Sequence, residues 1–354
     1  MDKAKIMEFA DRAYRDMAGA MAVGMADIGT RTGLFRAMAG QGAMRADDLA
    51  KTTGLTPRYV EEWCKGMTAA AYLDYDEKAD TYSLSAEHAY LLASDGTDHF
   101  MGGLFRFAPE LLAQSDGVTA AFFNGGGVAF DEFGQGCVHA LDLINAGTYE
   151  ARFASYWLAQ MPDVLARLEA GIEVLDVGCG AGRVSRLLAE AFENSRFIGL
   201  DPDEASIRTA QKGASRHNLE FVVGDAASLK GRHFDLITAC DCIHDFARPV
   251  ETLRDIRALL AEKGTFFIVE PRASDLLSEN IHSIGAMYYG FSIFHCMTQS
   301  LAAGGPGLGT CMGPAALGDL LGEAGFGQME DVPAKSLTNG FFRVGHPEFA
   351  DANS

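Results

Sequence analysis

Between Glu173 and Ser185 the chain reads Glu-Val-Leu-Asp-Val-Gly-Cys-Gly-Ala-Gly-Arg-Val-Ser, an apolar run ending in three alternating glycines, Gly178, Gly180 and Gly182. Without a Cβ these positions let the backbone turn tightly and let a ligand reach amide groups. The spacing departs from the Gly-x-Gly-x-x-Gly of dinucleotide sites, where a pyrophosphate rests on a helix N-terminus. Here the third glycine comes one position early and Arg183 stands in its place. Asp176, just before the first glycine, repels a pyrophosphate but can meet an ammonium directly or through water. The turn therefore suits a nucleoside ligand with a positive group rather than phosphates. A second reactive cluster is Cys240-Asp241-Cys242-Ile243-His244-Asp245. An imidazole with an ordinary pKa near about 6.5 can take a proton at neutral pH. It can equally cap the following helix or fill a cleft wall.

Strand-like runs position these residues. Phe197–Leu200 ends at Asp201-Pro202, Phe221–Val223 leads to Gly224-Asp225-Ala226, Phe234–Cys240 precedes the histidine, and Gly264–Glu270 follows. Strands that alternate with helices, and carry polar residues at their carboxyl ends, give an α/β, doubly wound Rossmann-like sheet. The N-terminal part is mostly helical. Ile6, Phe9, Ala10, Ala13, Met17 and Met21 recur at helical spacing, Met25, Ile28, Leu34 and Phe35 extend the pattern, and Gly33 breaks it. Residues 45–60 then read as a short helix, a turn at Gly54 and a second helix with Thr56 as N-cap and Pro57 at its first position. Two short strands, Tyr72–Tyr75 and Thr81–Leu84, complete a winged-helix pattern. The expected division is a winged-helix dimerisation or capping domain over 1–95, a helical connector over 96–148 and the sheet domain over 149–348. The connector's run Gly125–Gly127, followed by Phe130–Gly134, is either a mobile aromatic segment or a plain linker. Helices are expected over Met101–Ala113, Tyr149–Leu165 and Pro314–Gly325.

Asp176-x-Gly178-x-Gly180-x-Gly182 resembles the first motif of class I S-adenosylmethionine-dependent methyltransferases, and the later strand-end acids follow in that family's order. The resemblance implies S-adenosyl-L-methionine as cofactor, held by Asp176, Gly178, Cys179 and Gly180. Asp201, with Pro202, would accept from the ribose hydroxyls, Asp225, with Ala226, would face the adenine, and Cys240 and Asp241 would close the site. His244-Asp245 is similar to the His-Asp pair of plant small-molecule O-methyltransferases, whose histidine deprotonates the acceptor hydroxyl, although Phe246 stands where that family has tryptophan. More broadly the chain is similar to bacterial proteins that join a winged helix to a class I methyltransferase domain. That implies a homodimer methylating an O, S or N atom of a small molecule by in-line attack on the sulfonium methyl, with His244 and Asp245 as catalytic residues. The alternative is a ligand-sensing transcriptional regulator that binds the cofactor without turnover. The inserted segment 273–309 carries Asn280, His282, Met287, Tyr288, Tyr289, Phe291, Phe294, His295 and Met297. It either builds the acceptor pocket, with Tyr288, Tyr289 and His295 as substrate contacts, or packs as ordinary helices.

Composition bounds these readings. Lys and Arg total 29 against 48 Asp and Glu, a formal net charge of −19. Such a surface repels nucleic acid and anionic membranes. The expected second helix of the winged pattern sets Arg58 and Lys65 beside Glu61 and Glu62, and the wing carries Asp74, Asp76, Glu77 and Asp80. A role in dimerisation is expected in place of DNA binding. The absence of a long apolar run and an amphipathic start from Met1 lead to the expectation of a cytoplasmic protein with no membrane partner. Seven cysteines, one inside the glycine turn, fit a reducing compartment. Cys240-x-Cys242 is too tightly spaced for a zinc knuckle, and no metal site is expected.

Overall fold

The computed structural model describes residues 1–212 and 216–347; the expected domain end at residue 348 lies outside them. The chain divides into two compact units. One is Met1–Glu110 with His139–Thr148, and the other comprises Leu111–Val138 and the chain from Tyr149 onward.

The first unit opens with α1 (Lys3–Thr32), which Gly33 ends in the left-handed conformation (φ 75°). Its N-cap Asp2 accepts from Ala4 N at 2.9 Å. Then come α2 (Leu34–Met38), α3 (Ala46–Thr53) and α4 (Pro57–Ala69). Gly54 caps α3 with φ 69°. Thr56 stands at the N-cap of α4 in extended backbone, but its side chain makes no capping bond; Pro57 starts the helix instead. The wing is β1 (Asp74–Asp76) paired antiparallel with β2 (Thr81–Ser83), followed by α5 (Ala86–Leu92) and α6 (Gly102–Leu112). Leu34, Phe35, Leu49, Val60, Trp63 and Met67 form the core of this unit. The first two-thirds of α1 contributes nothing to it: Ile6, Phe9, Tyr14, Met17 and Met21 are all about half or more exposed.

In the second unit α7 (Ser115–Asn124) precedes the ends of α8 (Gly134–Arg152), whose middle, His139–Thr148, belongs to the first. The glycine run between them is more than a linker. A Cβ on Gly127 would lie 1.8 Å from the Thr298 carbonyl oxygen, and Val128 N donates to Thr298 Oγ1 at 2.9 Å. The helix expected over 149–165 is instead broken. A π turn spans Phe153–Trp157, a 3-10 turn Leu158–Gln160, and α9 (Pro162–Ala170) starts afresh. Pro162 offers no N–H, and it holds Met161 outside helical backbone (φ −125°, ψ 72°).

Strands and helices then alternate: β3 (Glu173–Val177), α10 (Arg183–Ala191), β4 (Arg196–Asp201), α11 (Glu204–Lys212), β5 (Leu219–Val223), β6 (Phe234–Cys240), α12 (Pro249–Leu259) and β7 (Leu260–Pro271). The insertion holds α13 (Ser283–Phe291), a π turn over Ser292–Cys296 and α14 (Met297–Ala302). The sheet ends with α15 (Pro314–Glu323), β8 (Glu330–Asp331) and β9 (Asn339–Val344). Strand order is β5-β4-β3-β6-β7-β9-β8. The first five are parallel, β9 is antiparallel to β7 and β8 antiparallel to β9. Alternate residues feed two apolar layers: Leu175, Ile198, Ile237, Phe266 and Ile268 face one, and Val174, Phe197, Leu236, Phe267 and Val269 the other. The order reverses at β3, so the crevice beyond the carboxyl ends of β3, β4 and β6 is the switch point at which such sheets bind ligands. Among the described residues no helix is long and apolar enough to cross a membrane.

Candidate active site

The glycine turn leaves β3 with Gly178, Gly180 and Gly182 at φ 67°, 52° and 78°. Leu200 O accepts from Gly178 N at 2.8 Å and from Cys179 N at 3.1 Å, which ties the turn to β4. A Cβ on Gly182 would lie 2.4 Å from the Phe221 ring, and one on Gly178 would lie 2.8 Å from Cys242 Sγ. A Cβ on Gly180 would meet nothing within 4 Å. Two glycines are therefore required by packing, and the third leaves an opening toward which a ligand can lie.

Asp176 does not present a free carboxylate to that opening. Its Oδ2 accepts from Ser185 Oγ at 2.6 Å and its Oδ1 from Thr238 Oγ1 at 2.7 Å. Burial pushes its pKa up to about 6 against these bonds. Through these bonds both carboxylate oxygens join β3, β6 and α10 under the turn. Asp201, at the end of β4, accepts from Gly180 N and from Asp203 N, each at 2.9 Å. Burial raises its pKa as well. Pro202 beside it is exposed. Asp225 is exposed and caps the 3-10 turn Ala226–Leu229 by accepting from Ser228 N at 3.2 Å, while Ala226 is buried.

Beyond β6 the chain bends sharply. Asp241 has φ 52°, a left-handed conformation rarely adopted by residues other than glycine. Its carboxylate accepts from Tyr149 Oη at 2.5 Å and from Asn339 Nδ2 at 3.3 Å. Burial pushes its pKa up to about 6. Burial likewise holds the Cys240 and Cys242 thiols well above their ordinary pKa, so both stay protonated.

His244 lies on the next 3-10 turn, Ile243–Asp245, and is 3% exposed. Its Nδ1 is 2.5 Å from Glu270 Oε2, and Glu270 Oε1 accepts from Ile243 N at 2.9 Å. Its Nε2 is 3.4 Å from Asp245 Oδ1. Burial alone lowers the imidazole, but the Glu270 and Asp245 carboxylates outweigh it and hold His244 well above the ordinary histidine value. Both carboxylates thus favour the charged ring, a shift that the unperturbed value does not show. The resulting stabilisation is present below about pH 6.5 and is lost as pH rises through the higher folded value.

In the insertion Tyr288 is buried and donates to Thr338 O at 2.6 Å, whereas Tyr289 is 37% exposed. His295 is buried with its ring 4.8 Å from that of Phe133, and burial lowers its pKa. The structure thus joins His244 and Asp245 with Glu270 and Cys296, and joins the glycine turn with Asp201. His295 joins the His244 group, its Nδ1 3.6 Å from Cys296 Sγ, whereas Tyr288 and Tyr289 do not line the cavity of about 530 Å³ that Glu270, Arg272, Thr310, Met312, Asn339 and Phe341 help to line. Tyr149, Asn339 and Cys296 escaped the sequence reading, which names Glu270 only as the acid at the end of a strand and not as the partner of His244. For Glu270 a signal existed, an acid closing the apolar run Thr265–Val269. For Tyr149 and Asn339 nothing in their neighbours distinguishes them.

Residues 168–316 match the family model described as a methyltransferase domain, and residues 19–94 the one described as an Rv2258c-like winged HTH domain. The chain is 33% identical over 121 residues to demethylmenaquinone methyltransferase of Thermotoga maritima, covering 34% of this chain and 50% of that one. It is 31% identical over 104 residues to fatty-acid O-methyltransferase of Mycolicibacterium smegmatis, covering 29% and 38%. Trans-aconitate 2-methyltransferase of Methylobacterium radiotolerans is 31% identical over 174 residues, covering 49% and 63%. The chain therefore spans half or less of the first two relatives and under two-thirds of the third. Solved structures align over almost the whole length. Mitomycin 7-O-methyltransferase is 14% identical with TM-score 0.70, covering 98% of this chain and 100% of that one. Human N-acetylserotonin methyltransferase, solved in complex with SAM, is 16% identical with TM-score 0.65, covering 95% and 97%. At these identities the likeness shows a shared fold.

Proposed function

We propose that this chain, which combines a winged helix-turn-helix domain with a methyltransferase domain, methylates a small-molecule acceptor with S-adenosylmethionine and works as a homodimer. The observation that carries the reading is the His244–Glu270 pair, set at the carboxyl ends of β6 and β7 beside the strand that carries the glycine turn. The open space over Gly180 leaves room for a nucleoside beside the turn, and Asp201 and Asp225 would hold it. When bound, the cofactor supplies an electrophilic methyl group on a sulfonium. Glu270 fixes the imidazole through Nδ1 and leaves Nε2 as the atom that takes a proton from an acceptor hydroxyl. Because both flanking carboxylates favour the charged ring, His244 must first lose its own proton, and hydroxyl methylation would then rise with pH.

The exposed face of α1 supports a second copy of this chain as partner. Ile6, Phe9, Tyr14, Met17 and Met21 form an apolar stripe too long to leave in water. DNA fits the winged helix poorly. On α4 Arg58 pairs with Glu62 at 2.6 Å and Lys65 with Glu61 at 2.5 Å, so the cations that would meet phosphates are already neutralised. A screen of phenol, thiol and amine acceptors for release of the demethylated cofactor tests the activity. Calorimetric binding of S-adenosylmethionine without turnover on any of these classes would favour a ligand-sensing role instead.

A further inference from the structure

The cavity of about 530 Å³ is bounded by the end of β7, the start of β9 and the loop before α15; it belongs wholly to the second unit and shares no residue with the glycine turn. Its lining is graded. Glu270, Thr310 and Asn339 form a buried polar floor, and Met312, Met329, Phe341 and Phe342 give apolar walls. Arg272 and Lys335 stand at the exposed end. The Arg272 side chain donates from Nη1 to Ser336 O at 2.9 Å, which leaves its charge uncompensated, and among the described residues no carboxylate pairs with it or with Lys335. Asp331 also lines the exposed end and pairs with neither cation, so the mouth is net positive in a chain of formal net charge −19. Both cations sit on pinned backbone: Arg272 N donates to Thr338 O at 2.8 Å, and Lys335 N to Tyr156 Oη at 3.1 Å. Apolar surface continues past the mouth. Leu337, between the Ser336 and Thr338 that bond Arg272, is exposed, as are Leu276 and Leu277 on the loop that follows it.

The gradient defines a ligand. A floor that holds the Glu270 carboxylate repels an anion, so negative charge belongs at the mouth. There the Nε and Nη2 edge of Arg272 is free for the two-pronged contact that a carboxylate makes with a guanidinium, and the Lys335 ammonium adds a second charge. The walls gain only from a hydrocarbon or aromatic body, and the volume lies in the range that takes a small organic molecule. We propose that this cavity binds an amphipathic monocarboxylate, with its carboxylate on Arg272 and Lys335 and its body against Met312, Met329, Phe341 and Phe342. The assignment stands on this wall and does not rest on methyl transfer. The far end of such a ligand meets Glu270 and Asn339, whose other contacts are His244 Nδ1 and the Asp241 carboxylate. The cavity thus adjoins the strand-end residues from behind and leaves His244 Nε2 to its own use.

Octanoate is the probe, titrated by calorimetry into the full chain without cofactor. Octanol keeps the body and lacks the charge, and acetate keeps the charge and lacks the body. One octanoate per chain is expected, bound more tightly than either analogue. Arg272→Gln and Lys335→Gln should each weaken it by roughly 2- to 5-fold, the share of an exposed charge pair. Arg272→Lys should recover part of the loss, and Lys78→Gln, on the wing, should leave the affinity unchanged. Circular dichroism of each variant shows that it is folded. No octanoate binding in the parent, octanol bound as tightly as octanoate, or parent-like affinity in the folded double variant of Arg272→Gln and Lys335→Gln overturns the site. S-adenosylmethionine binding, measured on the same parent sample, reports separately on the methyltransferase reading.

Discussion

Gly180 and Gly182 share a left-handed backbone yet differ in what a methyl group would meet, and alanine at each separates folding from ligand binding. At both positions a side chain in left-handed backbone costs about 1–2 kcal/mol. At Gly182 the new Cβ also collides with the Phe221 ring at 2.4 Å and with Ala210 Cβ at 2.9 Å, and such overpacking adds about 1–3 kcal/mol. Gly182→Ala should therefore lose about 2–5 kcal/mol of stability. Gly180→Ala meets only open space and should lose about 1–2 kcal/mol. If that space is where the cofactor lies, the methyl group crowds the ligand by about 1–3 kcal/mol, or roughly 5- to 150-fold in affinity. Urea denaturation gives the stabilities, and calorimetry with S-adenosylmethionine gives the affinities. Parent-like binding by folded Gly180→Ala would refute the placement of the ligand over this glycine.

Asp201→Ala removes the acceptor of Gly180 N and Asp203 N, and calorimetry should show cofactor affinity reduced by about 1–3 kcal/mol; equal affinity would remove Asp201 from the site. His244→Ala should lower turnover of a hydroxyl acceptor by roughly 10²- to 10⁴-fold with cofactor affinity retained. The parent's rate should climb with pH above neutrality and the climb should move to lower pH in Glu270→Gln; superimposable profiles would exclude His244 as the titrating base. Asp176 is protonated more readily folded than unfolded, its pKa rising from 3.8 to about 6, so its burial opposes folding above pH 6 and ceases to do so as pH falls below 4. Asp176→Asn should then exceed the parent in stability by up to about 3 kcal/mol at pH 7, with the gap closing toward pH 4; a pH-independent gap contradicts the assignment. Deleting residues 2–21 should convert a dimer to a monomer in light scattering, and a full-length monomer would remove α1 as the interface.

The sheet was largely legible because a parallel sheet buried on both faces writes each strand as an apolar run, and the strand-end residues Gly178, Asp201 and Cys240 fall where those runs stop. The helix-turn-helix was legible through Gly54 and Pro57, which punctuate it. Less of the site could be read. Asp176 stands in the motif like a ligand contact, yet the hydroxyls that occupy it, Ser185 and Thr238, come from a helix and a strand that no local pattern connects. The pKa of His244 depends on Glu270, a strand away, so its own neighbours gave an ordinary imidazole where the fold shifts it upward. Tyr288 and His295 suggested a pocket by composition, but their partners, Thr338 O and Cys296 Sγ, could not be read from it.

The π turn over Ser292–Cys296 sits between α13 and α14 in what is otherwise one continuous helical path from Ser283 to Ala302. Such a turn is geometrically a single residue inserted into an α-helix. Each residue advances a helix by about 100°, so removing one from this stretch would restore regular winding and turn everything on one side of the cut by about that angle. The helix would survive, and so would most of its apolar packing. Cys296 could not then keep its place beside His244 and Asp245. Their meeting is a matter of insertion and deletion rather than of substitution, and two chains of this fold could agree at His244, Asp245, Glu270 and a cysteine while differing by one residue in length, with only one of them possessing the cluster.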